Sequence, residues 1–213
     1  MLHIQNVTKA YDGQMVFEGL NYIFGAGCFA LNDDSGSGKS SLLSILSGTI
    51  HASSGAVTLD GHVVQPGAPE LQQKVAYVPD DCLTYPAQTG SAFLTLVAAA
   101  RKTMLDSGVT ALADRFGLTP HLNKRFEQMS LGTRKKFFLT AAAIGLPAVV
   151  LADEPDAGLD AAAKGVLITL FKTLGKDRVV LFTSYDEKLI AACEARRVSF
   201  SDFDNAADAG PGV

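Results

Sequence analysis

A short apolar run, residues 28–32 (CFALN), leads directly into Asp33-Asp34-Ser35-Gly36-Ser37-Gly38-Lys39-Ser40. An apolar helical segment follows, from about Lys39 to Leu46, closed by Gly48. The phosphate-loop pattern is glycine, four residues, then Gly-Lys-Ser/Thr, set between a strand and a helix. Its order has a physical reason. Small residues at Ser35, Gly36, Ser37 and Gly38 let backbone N–H groups approach phosphate oxygens, and the helix start adds a favourable field. Lys39 supplies a point charge to the outer phosphates, Ser40 a hydroxyl for Mg²⁺, and Ser41 a further polar contact on the same turn. The same residues also describe a flexible turn capping a helix. The buried strand before them and the apolar helix after them favour the phosphate site.

The rest of the chain fits an α/β domain. Strands are predicted over 2–7 and 15–24 around Asp12-Gly13, over 56–64 with Asp60-Gly61 as punctuation, and over 74–78 before Pro79. From about 84 to 130 the sequence turns rich in Ala, Leu and Thr with helical spacing, and reads as a helical lobe inserted into the sheet domain. A helix from about Leu131, a strand at 148–152, a helix at 160–174 and a strand at 178–182 follow. Strands alternating with helices imply a parallel sheet. The tail from about 202 to 213, rich in Asp, Ala and Gly, reads as frayed. The 213 residues therefore form one domain.

Composition excludes several classes. With 47 % apolar and 19 % charged residues the chain is globular, and a net charge of −4 gives no footprint for nucleic acid. Three widely spaced cysteines (Cys28, Cys82, Cys193) suggest neither disulfides nor a zinc site, and a reducing cytoplasm is the natural compartment. No signal peptide and no apolar stretch long enough to span a bilayer is visible, so the chain is expected to be soluble and at most docked on a membrane partner.

Residues 149–155 read VVLADEP. An apolar strand ending in two acids places both at the carboxyl edge of a sheet, where α/β ligands bind. Asp153 is expected to hold Mg²⁺, mostly through water, and Glu154 to act as general base on the attacking water. Solvated acids at an ordinary strand end are the alternative, weakened by the phosphate loop upstream.

Between these motifs, Met129-Ser130-Leu131-Gly132-Thr133 precedes a helix rich in Lys and Ala. Ser130 and the backbone at Gly132 start that helix and form an anion site. The segment resembles the LSGGQ signature of ABC ATPases. Ala157-Gly158-Leu159-Asp160 is similar to that family's D-loop, and the segment around Tyr11 resembles the one whose aromatic residue stacks on adenine, although a surface tyrosine at a strand edge fits equally well. These elements, in family order over residues 2 to about 186, resemble ATP-binding cassette ATPases, the nucleotide-binding domains of transporters. The resemblance implies the ABC ATPase fold, ATP and Mg²⁺ as cofactors, and a head-to-tail homodimer or pair with another ABC subunit. Each ATP would lie between Lys39 and Ser40 of one chain and Ser130 and Gly132 of the other. It also implies a separate membrane permease, held on the cytoplasmic face of the membrane, whose short helix enters a cleft near Cys82, Leu83, Tyr85 and Phe93. An exporter is the expected type.

Three positions depart from the family pattern. Asp33 replaces the first loop glycine, Asp80 replaces the glutamine that senses Mg²⁺ and water, and Tyr185 replaces the histidine that contacts the γ-phosphate. A carboxylate roughly 8 Å from a phosphate charge costs about 2 kcal/mol at an effective dielectric of about 20. Asp33 would also strain the loop if its φ were positive. Asp80 can ligate Mg²⁺ but cannot donate to water unless protonated. Tyr185 can donate a hydroxyl proton but carries no charge. Slow hydrolysis is expected, with Lys39, Glu154, Asp80 and Tyr185 as the catalytic set. The alternative is a nucleotide-gated interaction module with little turnover. A soluble ABC protein of DNA repair or translation fits poorly, because this chain has neither a long coiled-coil insertion nor a second cassette.

Overall fold

The structure, a computed structural model, describes residues 1–82 and 85–203. Strands β1 (Leu2–Tyr11) and β2 (Gln14–Phe24) pair antiparallel around Asp12-Gly13. Both turn residues have positive φ, 48° and 82°, as the right-handed strand twist requires of a two-residue hairpin. Strand β3 (Gly27–Leu31) feeds the glycine-rich loop and helix α1 (Lys39–Leu46). Strands β4 (Ser54–Leu59) and β5 (His62–Val63) then complete a four-stranded antiparallel sheet of order β2-β1-β4-β5.

The chain continues through α2 (Pro69–Lys74) and β6 (Val75–Val78) into the helical lobe. The lobe contains α3 (Gly90–Ala100) and α4 (Ser107–Arg115), with two 3-10 turns before α5 (Leu131–Ala142). Strand β7 (Val149–Ala152), α6 (Ala161–Leu174), β8 (Val179–Thr183), α7 (Glu187–Ala192), β9 (Arg196–Val198) and α8 (Phe200–Phe203) finish the described chain. Side-chain oxygens of Thr89, Asp106, Ser130, Asp160 and Asp186 accept backbone N–H bonds at the starts of α3 to α7, as N-cap preference dictates.

The second sheet has order β6-β7-β8-β3-β9 and every pairing in it is parallel. Its strands are apolar on both faces, and the two-residue period divides them between two cores. Val149, Leu151, Val179, Leu181 and Leu31 face the antiparallel sheet and α1. Val150, Ala152, Val180, Phe182 and Ala30 face α5, α6 and the lobe. In the lobe, Phe93 lies 4.7 Å from Phe138 and 5.1 Å from Phe126 between ring centroids. Gly90 is fixed by this packing, since a Cβ there would enter the Phe137 ring. Among the described residues no helix is long and apolar enough to cross a membrane.

The fold is the α/β phosphate-loop architecture with an antiparallel sheet and an inserted helical lobe. Differences from the sequence expectation lie in short elements. Helices α2, α7 and α8 and strand β9 have six residues or fewer, too short for a periodic signal. Residues 202 and 203, expected to belong to a frayed tail, are ordered in α8. Asp202 accepts hydrogen bonds from the Ser199 N–H (2.8 Å) and hydroxyl (2.9 Å), and Phe203 is fully buried beside Tyr22, 5.0 Å between centroids. Residues 204–213, and the lobe's expected start at residue 84, lie outside the described residues.

Candidate functional site

Because β6, β7, β8 and β3 run parallel, the segments that follow them emerge at one sheet edge. Those segments carry Asp80, Asp153 and Glu154, Tyr185, and the glycine-rich loop. They line a cleft of about 450 Å³ together with Val16, Ser35, Gly36, Gly38, Lys39, Ser40 and Ser41. Gly36 (φ 79°) and Gly38 (φ 101°) give the loop its curvature; a Cβ on Gly38 would press on Val16.

Lys39 is buried, 7 % exposed. Its Nζ donates to the Asp33 carbonyl (2.6 Å), the Asp34 carbonyl (2.7 Å) and the Tyr185 hydroxyl (2.8 Å), and lies 4.7 Å from the Tyr185 ring centroid. The ammonium is thus held by its own loop and by Tyr185. Tyr11 does not line the cleft; its hydroxyl is 3.3 Å from Oγ of Ser41, which does, and Lys9 Nζ sits 4.4 Å from its ring centroid. Ser37 Oγ is buried without a hydrogen-bond partner, an orphan of the kind that a bound oxyanion can satisfy.

Asp33 departs from the expectation set by its position. Its φ is not positive, so the loop carries no left-handed strain there. Its side chain does not line the cleft; Oδ2 accepts the Phe200 N–H at 2.9 Å and ties the loop to α8. Burial raises its pKa above the ordinary value, opposed by the Phe200 bond and by Lys39. The carboxylate is turned from the cleft to α8, which leaves the through-space interaction with a bound polyphosphate and removes any direct contact.

The two acids after β7 are held by a residue the sequence reading passed over. Thr183, at the end of β8, is fully buried; its Oγ1 donates to Asp153 Oδ1 (2.7 Å) and accepts the Glu154 N–H (2.8 Å). The available signal was register: Ala152 pairs with Phe182, which sets Thr183 beside Asp153. Glu154 has φ 45°, a left-handed conformation costing about 1–3 kcal/mol for a non-glycine residue. Burial raises its pKa first, followed by Asp156, Asp153 and Asp80, while Lys39 lowers it. A raised carboxyl beside a polar cleft suits proton abstraction.

Among the described residues no group of three or more His, Cys, Asp or Glu side chains is placed to hold a metal alone. Mg²⁺ at such a site takes one or two carboxylates and completes its shell from phosphates and water. Ser40 and Asp153 offer that donor set. Asp80, the third residue expected to bind metal, directs Oδ1 to Lys135 Nζ at 3.2 Å.

Ser130 and Gly132 do not line the cleft. Ser130 Oγ accepts the Thr133 N–H at 3.2 Å and caps α5. Gly132 packs backbone to backbone on Gly158, and a Cβ on Gly132 would overlap the Gly158 carbonyl oxygen. Gly132→Ala is accordingly expected to cost about 1–3 kcal/mol by overpacking. That is several degrees of Tm in a chain of this size, readable by thermal unfolding. A parental Tm would mean that the two segments are not in contact.

The fold and this cleft define a phosphate-loop nucleotide-binding domain. The ABC transporter family model matches residues 26–157, and the chain belongs to that family. The chain is 27 % identical to the linearmycin resistance ATP-binding protein LnrL of Bacillus subtilis, over 91 % of this chain and 64 % of that protein. It is 28 % identical to the cell division ATP-binding protein FtsE of Escherichia coli, over 95 % of this chain and 96 % of that one. The dimeric structure of the ATP-binding cassette MJ0796 in a post-hydrolysis state with ADP and Pi superposes with a TM-score of 0.81 at 21 % identity, covering 93 % of this chain and 94 % of that one. The chain thus spans less than two thirds of LnrL but nearly all of FtsE.

Proposed function

We propose that this chain is the ATP-hydrolysing subunit of an exporter-type ABC transporter, working as a head-to-tail dimer on a separate membrane permease at the cytoplasmic face. One observation carries the reading: Lys39, Ser40, Asp153, Glu154, Asp80 and Tyr185 line a single cleft at the carboxyl ends of parallel strands. Lys39 exchanges its loop carbonyls for the outer phosphates, and Ser40 and Asp153 would hold Mg²⁺. The metal, when bound, neutralises charge on those phosphates. Glu154 takes the proton of the attacking water, held in place through Thr183. The phosphate-loop backbone around Ser35, Gly36, Ser37 and Gly38 cradles the polyphosphate, and Tyr11 supports the adenine. Ser130, exposed and outside its own chain's cleft, is free to face the partner chain's nucleotide, while Gly132 is buried against Gly158 and sets the start of α5 behind it.

The permease contact is a groove of about 320 Å³ between β6 and the lobe, lined by Tyr77, Pro79, Tyr85, Val97, Arg101 and Phe138 among others. Of the residues expected there, Tyr85 and Phe93 line it and Cys82 does not. Phe93, 2 % exposed, belongs mainly to the lobe core. Cys82 is fully buried; its Sγ donates to the Pro79 carbonyl at 3.0 Å, and burial pushes its thiol up to about 12. Leu83 lies outside the described residues. Tyr85, 37 % exposed, is the better cross-linking position.

The test is steady-state ATP turnover of the parent and of Tyr185→His, together with cross-linking of a Tyr85→Cys chain in native membranes. Tyr185→His is expected to raise kcat by up to about 10²-fold, since a charged donor at the reacting phosphoryl acts on the transition state. ATP affinity should change less. Unchanged or lower turnover in a folded variant means that Tyr185 is an adapted catalytic element. A parent that binds ATP without turnover points to the nucleotide-gated module instead. Failure of Tyr85→Cys to capture any membrane protein removes the groove assignment.

A further inference from the structure

Lys135 lies in the second turn of α5 and is fully buried. Helical spacing puts it on the same inward face as Phe138 and Ala142, which are both buried. A lysine there must satisfy three N–H donors and a full charge without water. All three find acceptors: the Glu154 carbonyl at 2.8 Å, the Asp153 carbonyl at 3.2 Å, and Asp80 Oδ1 at 3.2 Å. Of these only Asp80 carries charge.

The Glu154 peptide is therefore clamped on both sides. Thr183 Oγ1 accepts its N–H and Lys135 donates to its carbonyl, each at 2.8 Å, across a residue held at φ 45°. We propose that Lys135 is a positioning residue that fixes Glu154 for proton abstraction, and that Asp80 stands at its position as the counter-ion of Lys135. This rests on the reading of Glu154 as the general base. It also accounts for the departure at Asp80. A neutral glutamine would leave the buried ammonium uncompensated, so the carboxylate on the β6 loop and the lysine on α5 form one unit. Lys135 thereby joins three segments, the loop after β6, the end of β7 and the start of α5, at the backbone of the base itself.

The test uses the full chain with substitutions Lys135→Met, Asp80→Gln and both together. Turnover, ATP affinity and amide hydrogen exchange over residues 150–157 are measured on each. Lys135→Met should lower kcat by about 10²-fold, the cost of a small misplacement of a catalytic group. ATP affinity should stay near the parental value, and exchange at Glu154 should accelerate. Asp80→Gln alone should also lower kcat, although it restores the family residue. In the double variant the losses should not add. Additive losses, an equal fall of kcat and affinity, or unchanged exchange with parental kcat would overturn the assignment. If Lys135→Met does not fold, Lys135→Gln and the surface change Asp80→Gln carry the same comparison. A parent whose turnover equals that of Glu154→Gln removes the base reading. The exchange measurement then decides the clamp alone, and unchanged protection in the Lys135 variant overturns it.

Discussion

Lys39→Ala is expected to lower ATP affinity by about 10²–10⁴-fold. Hydrogen bonds to charged groups contribute about 1.5–3 kcal/mol each, and two such bonds to outer phosphates amount to about 3–6 kcal/mol, or that range in Kd. The size of the effect follows from what Lys39 does before nucleotide arrives. Its ammonium already donates to two loop carbonyls and to Tyr185, so it is aimed and largely dehydrated. Little reorganisation remains when phosphate oxygens replace those acceptors. The neighbouring cations Lys135 and Lys9 are committed elsewhere: Lys135 is turned to the Glu154 carbonyl and Lys9 to the His51 carbonyl. Calorimetric titration with Mg²⁺ present measures the change. Equal affinity in the folded variant and the parent removes this cleft as the nucleotide site.

The second large effect is expected at Glu154. Glu154→Gln keeps the size of the side chain, its left-handed backbone and the Thr183 bond, but removes the base. Turnover should fall by about 10²–10⁴-fold, the usual contribution of general acid–base catalysis. ATP affinity should persist, and ATP-dependent dimers should accumulate because the closed state is no longer hydrolysed. Acid pH should act in the same direction on the parent. Glu154 has a raised pKa, chiefly through burial and then through Asp156, Asp153 and Asp80. Turnover should thus decline, as pH falls, at a higher pH than for an ordinary glutamate. For stability the sign is opposite to that of a salt-bridged acid. The folded state disfavours the charged carboxylate, so above its folded pKa Glu154 subtracts from stability. The glutamine variant should therefore unfold at or above the parental Tm near neutral pH. Parental turnover in Glu154→Gln would assign the base elsewhere.

Much of this site can be read from residue order, because its chemistry follows strands with strong apolar signals. CFALN before the loop and VVLA before Asp153-Glu154 each announce a buried strand, and parallel pairing brings their ends to one edge. What could not be read depends on three-dimensional register. Thr183 matters because Phe182 pairs with Ala152. Asp33 looked like a charge facing phosphate, yet its carboxylate reaches a residue 167 positions away. Lys135 stands between Arg134 and Lys136 in the sequence, and only the packing of α5 on β6 turns it from surface charge into a buried clamp. Cys82 looked like a groove residue and is instead core, whereas Phe93 serves both the groove wall and the lobe core.

The strand order carries a consequence for how the protein is made. β3, which launches the phosphate loop, lies between β8 and β9, and both of its neighbours come from residues 179–198. A nascent chain emerges from its amino terminus, so β3 waits beside the ribosome with neither partner while most of the domain is still being translated. The bond from Asp33 to Phe200 comes later still. Pairings this distant in sequence are slow to close. The nucleotide pocket is therefore among the last features to mature, and a translating or truncated chain that lacks residues 179–198 should be unable to bind ATP.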